Sequence, residues 1–141
     1  MSLNYLLDTC LISEFVKPRP EQRVQDWLNG LDSRRAYLSV VTLGEIQRGI
    51  SEKPASNRRT ELEMWLNEAL VVQFEDRILS LDQETFKTWG QMVALLKRQG
   101  KPMSVMDSLI AATAIRHKMV LATRNVSDFE HVGLSIFNPW E

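Results

Sequence analysis

Short apolar segments alternate along this 141-residue chain with longer segments whose apolar residues recur at helical spacing. That alternation predicts an α/β domain, in which parallel strands are joined by helices that pack on the sheet. The expected strands are Asn4 to Leu7, Ala36 to Val41, either Leu70 to Phe74 or Ile78 to Leu81, Met119 to Ala122, and Ser135 to Phe137. The region from Thr42 to Leu70 is long enough for a helical hairpin that walls a groove beside the sheet.

Length and composition predict one ordinary globular domain spanning residues 1 to 141, with 44% hydrophobic and 25% charged residues. A net charge of −1 gives no global basic field for nucleic acid, although a local patch is compatible with it. The single cysteine, Cys10, excludes an intrachain disulfide and favours a reducing compartment. Because we find neither a secretion signal nor an apolar run near the roughly 18 residues of a membrane span, we expect a cytoplasmic protein without membrane contact.

Acidic positions stand where the predicted strands end or the following helices begin: Asp8, Glu45, Asp107 and the segment from Asn125 to Asp128. The carboxyl ends of parallel strands share one edge of a sheet, so these side chains should converge there. Two carboxylates about 5 Å apart repel by roughly 3 kcal/mol at an effective dielectric near 20. A divalent cation would offset that repulsion. Hard oxygen donors without histidine or thiol pairs favour Mg²⁺ or Mn²⁺ over zinc.

Each acid also has a structural explanation as a helix cap. Thr42 to Glu45 fits a capping box, and Ser104 to Asp107 fits the related pattern with aspartate. Asp8 could cap a helix that begins near Cys10, and Asp128 could lie in a turn. Capping explains Asp8 and Asp107 least well, because Asp8 ends an apparently buried central strand where a lone carboxylate is costly. Both explanations therefore stay open for each position.

Five segments, in order, resemble the PIN-domain ribonucleases, and among them the VapC and FitB toxins of bacterial type II toxin–antitoxin pairs. The matching segments are Leu6 to Glu14, Leu38 to Ile46 with Gly49, Asp107 to Ala114, Ala122 to Asn125 with Phe129, and Phe137 to Trp140. Each segment alone is unspecific, but the five together cover essentially the whole chain.

The resemblance implies a single PIN-like domain with a five-stranded parallel sheet, and an endoribonuclease that hydrolyses RNA phosphodiester bonds with Mg²⁺ or Mn²⁺. It implies that Asp8 and Asp107 are the principal metal ligands and that Glu45 is the third acid. The fourth catalytic position is Asn125 or Asp128, because FitB-like members have aspartate where this chain has Asn125. The hydroxyls of Thr9 and Thr123 are implied to orient the carboxylates.

The resemblance also implies a homodimer and a cognate antitoxin protein, with DNA contacted only indirectly through that antitoxin. Two other hypotheses remain. One is a catalytically degenerate PIN domain that binds RNA or protein, motivated by Asn125 in place of an acid. The other is a haloacid-dehalogenase-type phosphotransferase, which normally needs a second aspartate where this chain has Cys10.

Overall fold

The computed structural model describes residues 3 to 141. Its sheet has five strands, all parallel, in the order β3-β2-β1-β4-β5. The strands are β1 (Tyr5–Leu7), β2 (Ala36–Ser39), β3 (Ile78–Leu79), β4 (Val120–Ala122) and β5 (Ile136–Phe137). The expected α/β fold with a five-stranded parallel sheet is confirmed.

Within residues 3 to 141, eight α-helices connect and cover the strands. They are α1 (Thr9–Glu14), α2 (Gln22–Gly30), α3 (Val40–Ser51), α4 (Asn57–Met64), α5 (Val71–Gln73), α6 (Gln83–Arg98), α7 (Val105–Arg116) and α8 (Val126–Phe129). A π-helical segment, Trp65–Leu70, joins α4 to α5. The expected helical hairpin is therefore present as α3 and α4, and its helices line a groove together with α1.

The third strand is Ile78–Leu79, so the alternative of a strand from Leu70 to Phe74 is wrong. Leu70 and Phe74 are both buried, and the Phe74 amide donates to the Leu70 carbonyl at 3.1 Å. Residues four apart lie on the same helical face, so this apolar run satisfies a helix as well as a strand. Because both side chains are buried on the same side of a helix, this segment forms a helix and not a strand.

The core has two parts, one on each face of the sheet. Leu7 packs with α1, α2, α3 and the π-helical segment, whereas Leu6 packs with α6, α7 and α8. Adjacent residues of a strand point to opposite faces, so this central strand anchors both layers. Full burial of each leucine contributes about 2 kcal/mol.

Small residues bring α7 against the sheet. Ala111, Ala112 and Ala114 are fully buried. Their size lets the helix backbone approach β1 and β4 closely, and this positions the first turn of α7 near the carboxyl edge of the sheet. In residues 3 to 141, no helix is both long enough and apolar enough to cross a membrane.

Candidate functional site

Asp8 lies at the carboxyl end of the central strand and is only 4% exposed. Its backbone amide continues the sheet by donating to the Ala122 carbonyl at 3.0 Å. Its Oδ1 accepts from the Thr9 amide at 2.8 Å, and its Oδ2 accepts from the Thr123 hydroxyl at 2.7 Å. This side chain caps α1, as expected, but its second oxygen is held by a residue from a neighbouring strand.

Burial raises the pKa of Asp8 above its ordinary range. The hydrogen bonds from Thr123 and Thr9 oppose that shift, while the charges of Asp107 and Glu45 reinforce it. The ionised carboxylate is therefore well oriented but electrostatically unfavourable in the protein alone. A nearby cation would reverse that balance, because an opposite charge favours the ionised form.

Glu45 is not part of a capping box, and that expectation is wrong. The strand β2 leads directly into α3, whose N-cap is Ser39, with its hydroxyl accepting from the Val41 amide at 3.0 Å. Thr42 consequently lies inside the helix and Glu45 lies in its second turn. The Glu45 Oε1 instead accepts a hydrogen bond from the Thr9 hydroxyl at 2.5 Å. Glu45 is thereby connected to the residue that also binds Asp8.

Asp107 lies in the first turn of α7, which begins at Val105. The Ser104 hydroxyl caps the helix by accepting from the Asp107 amide at 3.3 Å, which confirms the predicted cap. Asp107 is half-buried. Burial is the main cause that raises its pKa, and the charge of Asp128 adds to the shift.

Asn125 and Asp128 belong to α8 and are both exposed. Asn125 occupies the N-cap position without a side-chain cap, and its amide donates to the Thr123 hydroxyl at 3.0 Å. Asp128 faces Asp107 across a cleft of about 380 Å³. The other side chains lining this cleft include Ser104, Ser127, Lys101 and His131. The structure thus brings Asp128 to the acidic edge, next to Asp107.

The donors at this edge fit a hydrated divalent cation. Asp8 is within electrostatic range of Asp107 and Glu45, yet among residues 3 to 141 no three His, Cys, Asp or Glu side chains form a compact ligand cluster. Mg²⁺ commonly binds through one or two carboxylates and keeps several waters, so a looser arrangement of carboxylates suits it. The hard oxygen donors suit Mg²⁺ or Mn²⁺ equally.

Three further residues have surroundings that the sequence did not show. Thr42 is fully buried and contacts the Thr9 hydroxyl at 3.1 Å. Its spacing of three residues from Glu45 is the signal that places both on one helical face. The guanidinium of Arg124 lies over the Trp140 ring at 5.6 Å. The pKa of the Cys10 thiol is raised, chiefly by burial, which disfavours a nucleophilic thiolate.

A parallel five-stranded sheet with carboxylates on its carboxyl edge defines an α/β domain with an acidic edge. The PIN domain family matches residues 5–134, and this chain belongs to that family. VapC ribonuclease Y4jK of Sinorhizobium fredii is 36% identical over 136 residues, covering 96% of this chain and 97% of the relative. Toxin FitB of Neisseria gonorrhoeae is 34% identical over 135 residues, covering 96% and 97%.

Solved structures agree with this assignment. FitAcB from Neisseria gonorrhoeae superposes with a TM-score of 0.92 at 34% identity, covering 97% of this chain and 99% of that one. DNA-bound VapBC from Salmonella typhimurium gives a TM-score of 0.80 at 28% identity, covering 98% and 99%. The similarity extends over almost the full length of these relatives.

Proposed function

We propose that this protein is the toxin of a type II toxin–antitoxin pair and that it hydrolyses RNA phosphodiester bonds with a bound Mg²⁺ or Mn²⁺. The observation that carries the proposal is the buried Asp8, whose carboxylate accepts hydrogen bonds from Thr9 and Thr123 and lies within electrostatic range of Asp107 and Glu45. Relatives support the reaction class, since one is named a VapC ribonuclease and another, from Shigella flexneri, a tRNA(fMet)-specific endonuclease.

Asp8 and Asp107 would hold the metal, with Glu45 as the third acid. When bound, the ion lowers the pKa of a coordinated water and offsets negative charge that develops on the scissile phosphate. Thr123 fixes one oxygen of Asp8, and Thr9 fixes Glu45 through its hydroxyl. These bonds fix the directions of both carboxylates before substrate arrives.

The fourth position is best filled by Asp128. It carries a charge and acts on Asp107, whereas Asn125 is neutral. Asn125 would serve the site through its backbone, since its amide donates to the Thr123 hydroxyl that in turn binds Asp8. The two residues would then have different tasks.

The test is cleavage of total RNA by purified protein, followed on denaturing gels. We expect activity to disappear in EDTA and to return when Mg²⁺ or Mn²⁺ is added in excess. Undiminished cleavage in EDTA would contradict the proposed chemistry. Sequencing of the RNA ends then identifies the target, which shape and unpaired loops determine more than helical sequence.

A catalytically degenerate PIN domain is the second candidate function. It is favoured by the amide at Asn125 and by the lack of a compact three-ligand cluster among residues 3 to 141. In that case the purified protein would bind RNA or a protein without cleaving RNA. Titration calorimetry would also detect no Mg²⁺ or Mn²⁺ binding, whereas the nuclease proposal requires binding.

The cognate antitoxin would occupy grooves that meet at Glu45. One groove lies between α3 and the start of α7, and it is lined by Val40, Gly44, Leu81 and Met106. The other lies between α1, α3 and α4. A cationic side chain of the partner placed against the buried acids would form a strong, charge-assisted hydrogen bond.

We infer that the protein acts as a homodimer in the cytoplasm. Exposed apolar side chains at the start of α6 and α7, namely Phe86 and Val105, offer surface for a second copy. DNA would be contacted only through the antitoxin, as the relative FitAB was solved bound to a DNA fragment. Growth arrest on expression, relieved by co-expression of a short neighbouring reading frame, would identify the pair.

A further inference from the structure

Three oxygen atoms beside the site form a hydrogen-bonded chain. The Thr9 hydroxyl lies 2.5 Å from Glu45 Oε1 and 3.1 Å from the Thr42 hydroxyl. A threonine hydroxyl has one proton to donate, and a carboxylate can only accept. Thr9 gives its proton to Glu45, so Thr42 must be the donor in the contact between the two threonines. The chain therefore runs in one direction, from Thr42 through Thr9 to Glu45.

The burial of Thr42 makes its hydrogen bond to Thr9 important. Thr42 is fully buried, while Thr9 and Glu45 are half-buried. A buried hydroxyl that loses its partner costs about 1–3 kcal/mol. Valine has nearly the same shape and would fill this core position without that risk. The hydroxyl is thus explained by the bond it makes rather than by packing.

Thr9 connects two carboxylates that come from different elements. Its amide donates to Asp8 at the end of β1, and its hydroxyl donates to Glu45 on α3. When Thr42 donates its hydroxyl proton to the Thr9 oxygen, Thr9 does not donate to Thr42. The Thr9 proton is then always directed to Glu45, and the second oxygen of Glu45 stays outside this chain.

We propose that Thr42 is a positioning residue that acts through Thr9 to fix the carboxylate of Glu45 relative to Asp8. This inference rests on the proposed metal-dependent nuclease function. Thr42 touches neither substrate nor metal in this role. Its removal should therefore loosen Glu45 while leaving RNA contacts intact, which separates the effect from a loss of substrate binding.

The test compares Thr42→Val, Thr42→Ser and Thr113→Val. Thr113 is a matched control, because it is also fully buried but donates its hydroxyl to the Leu109 carbonyl of its own helix at 2.8 Å. Outer partners of metal ligands typically contribute about 10–100-fold, so we expect Thr42→Val to lower kcat about 10-fold with KM nearly unchanged. Thr42→Ser keeps the hydroxyl and should retain the wild-type kcat. Thr113→Val should leave kcat within about twofold of wild type.

Mn²⁺ binding without RNA provides a readout independent of cleavage. Titration calorimetry should show about 10-fold weaker binding for Thr42→Val and wild-type affinity for Thr42→Ser and Thr113→Val. A double-variant cycle with Thr9→Val adds a second criterion that holds even if Thr42→Val is less stable. Residues in one hydrogen-bonded chain are not additive, so the double variant should be no worse than Thr9→Val.

The outcomes separate the two proposals. Wild-type affinity and kcat in Thr42→Val, or fully additive effects with Thr9→Val, would overturn the positioning role while metal-dependent cleavage by the wild type still stands. If the wild type neither binds Mn²⁺ nor cleaves RNA, the proposed function fails, and the role of Thr42 fails with it.

Discussion

The acidic edge has two halves that are built differently. Asp8 is held by the hydroxyl of Thr123, directly after β4, and Glu45 by the hydroxyl of Thr9 in α1; Asp8 is almost completely buried. Asp107 and Asp128 lie in the first turns of α7 and α8, where they are half-buried or exposed. One half is fixed by side-chain hydrogen bonds, and the other by the ends of helices.

The two halves are held differently because their carboxylates lie at different depths in the protein. A carboxylate at the end of a central strand has little water around it, so hydrogen bonds must offset its desolvation. Carboxylates in the first turn of a helix are favoured by the helix dipole, and Asp107 and Asp128 are less buried than Asp8, although burial still raises the pKa of Asp107. We therefore expect the buried half to set geometry and the exposed half to adjust when metal and substrate bind.

Replacing the two proposed metal ligands, one from each half, should have the largest effect on cleavage. Unequal losses would show that the two halves do not contribute equally to metal binding. We expect Asp8→Asn and Asp107→Asn each to lower kcat/KM by more than about 100-fold, exceeding the effect of outer partners. Single-turnover cleavage of a defined RNA measures this. Asp26→Asn is the control, because Asp26 is exposed on α2 and accepts only from the neighbouring Gln22 side chain at 2.8 Å. Unimpaired cleavage by both ligand variants would refute the site assignment.

Removing one supporting hydroxyl from each half sharpens the comparison. Thr123→Val deletes the donor to Asp8, and we expect about a 10–100-fold loss of kcat. Ser104→Ala deletes the cap of α7 and should cost about 1 kcal/mol of stability with a smaller loss of activity. Cleavage kinetics and urea unfolding of the two variants give the comparison. Equal losses of kcat would show that both halves depend on rigid support.

The pH dependence of stability distinguishes the halves without RNA. Because the pKa of Asp8 is raised above its ordinary 3.8, the folded state binds more protons than the unfolded state between those two values. The free energy of unfolding contributed by this group therefore falls as pH rises through that interval. In EDTA near neutral pH, Asp8→Asn should therefore be more stable than wild type.

That difference should vanish as pH falls below the ordinary aspartate value, where both states carry a neutral side chain. Asp107→Asn should show the same pH dependence with a smaller gain in the free energy of unfolding, because Asp107 is less buried than Asp8. Urea unfolding over a pH series measures both. A destabilised Asp8→Asn at neutral pH would mean that the hydrogen bonds of Asp8 outweigh its burial.

The smallest effects are expected at the fourth position. Asp128→Asn should weaken Mn²⁺ binding several-fold, since it removes a charge near Asp107. Asn125→Ala should change binding less than twofold, because the Asn125 backbone amide that contacts Thr123 is retained. Groups that support metal ligands typically change metal affinity by about 10–100-fold, and we expect both effects here to be smaller. The reverse ranking would place Asn125, not Asp128, at the metal.

Local patterns predicted the fold and much of the acidic edge. Apolar runs placed the strands, and Asp8 was expected at the end of a buried central strand, where the structure has it. The Thr42 capping box failed because β2 enters α3 without a loop and Ser39 caps the helix first. The bond between Thr123 and Asp8 joins residues 115 apart, so the local sequence contains no direct signal for it.

The placement of β1 beside β4 also sets when the site can exist. Asp8 precedes its Thr123 partner by 115 residues, so it leaves the ribosome well before Thr123 and the adjacent strand β4. Domains emerge from the ribosome N-terminus first, and contacts between distant segments must wait for both to appear. A nascent chain therefore carries an incomplete acidic edge until β4 and Thr123 have been made. If the acidic edge has the proposed ribonuclease activity, unfinished chains would lack that activity, and we expect a chain truncated before β4 to be inactive as well.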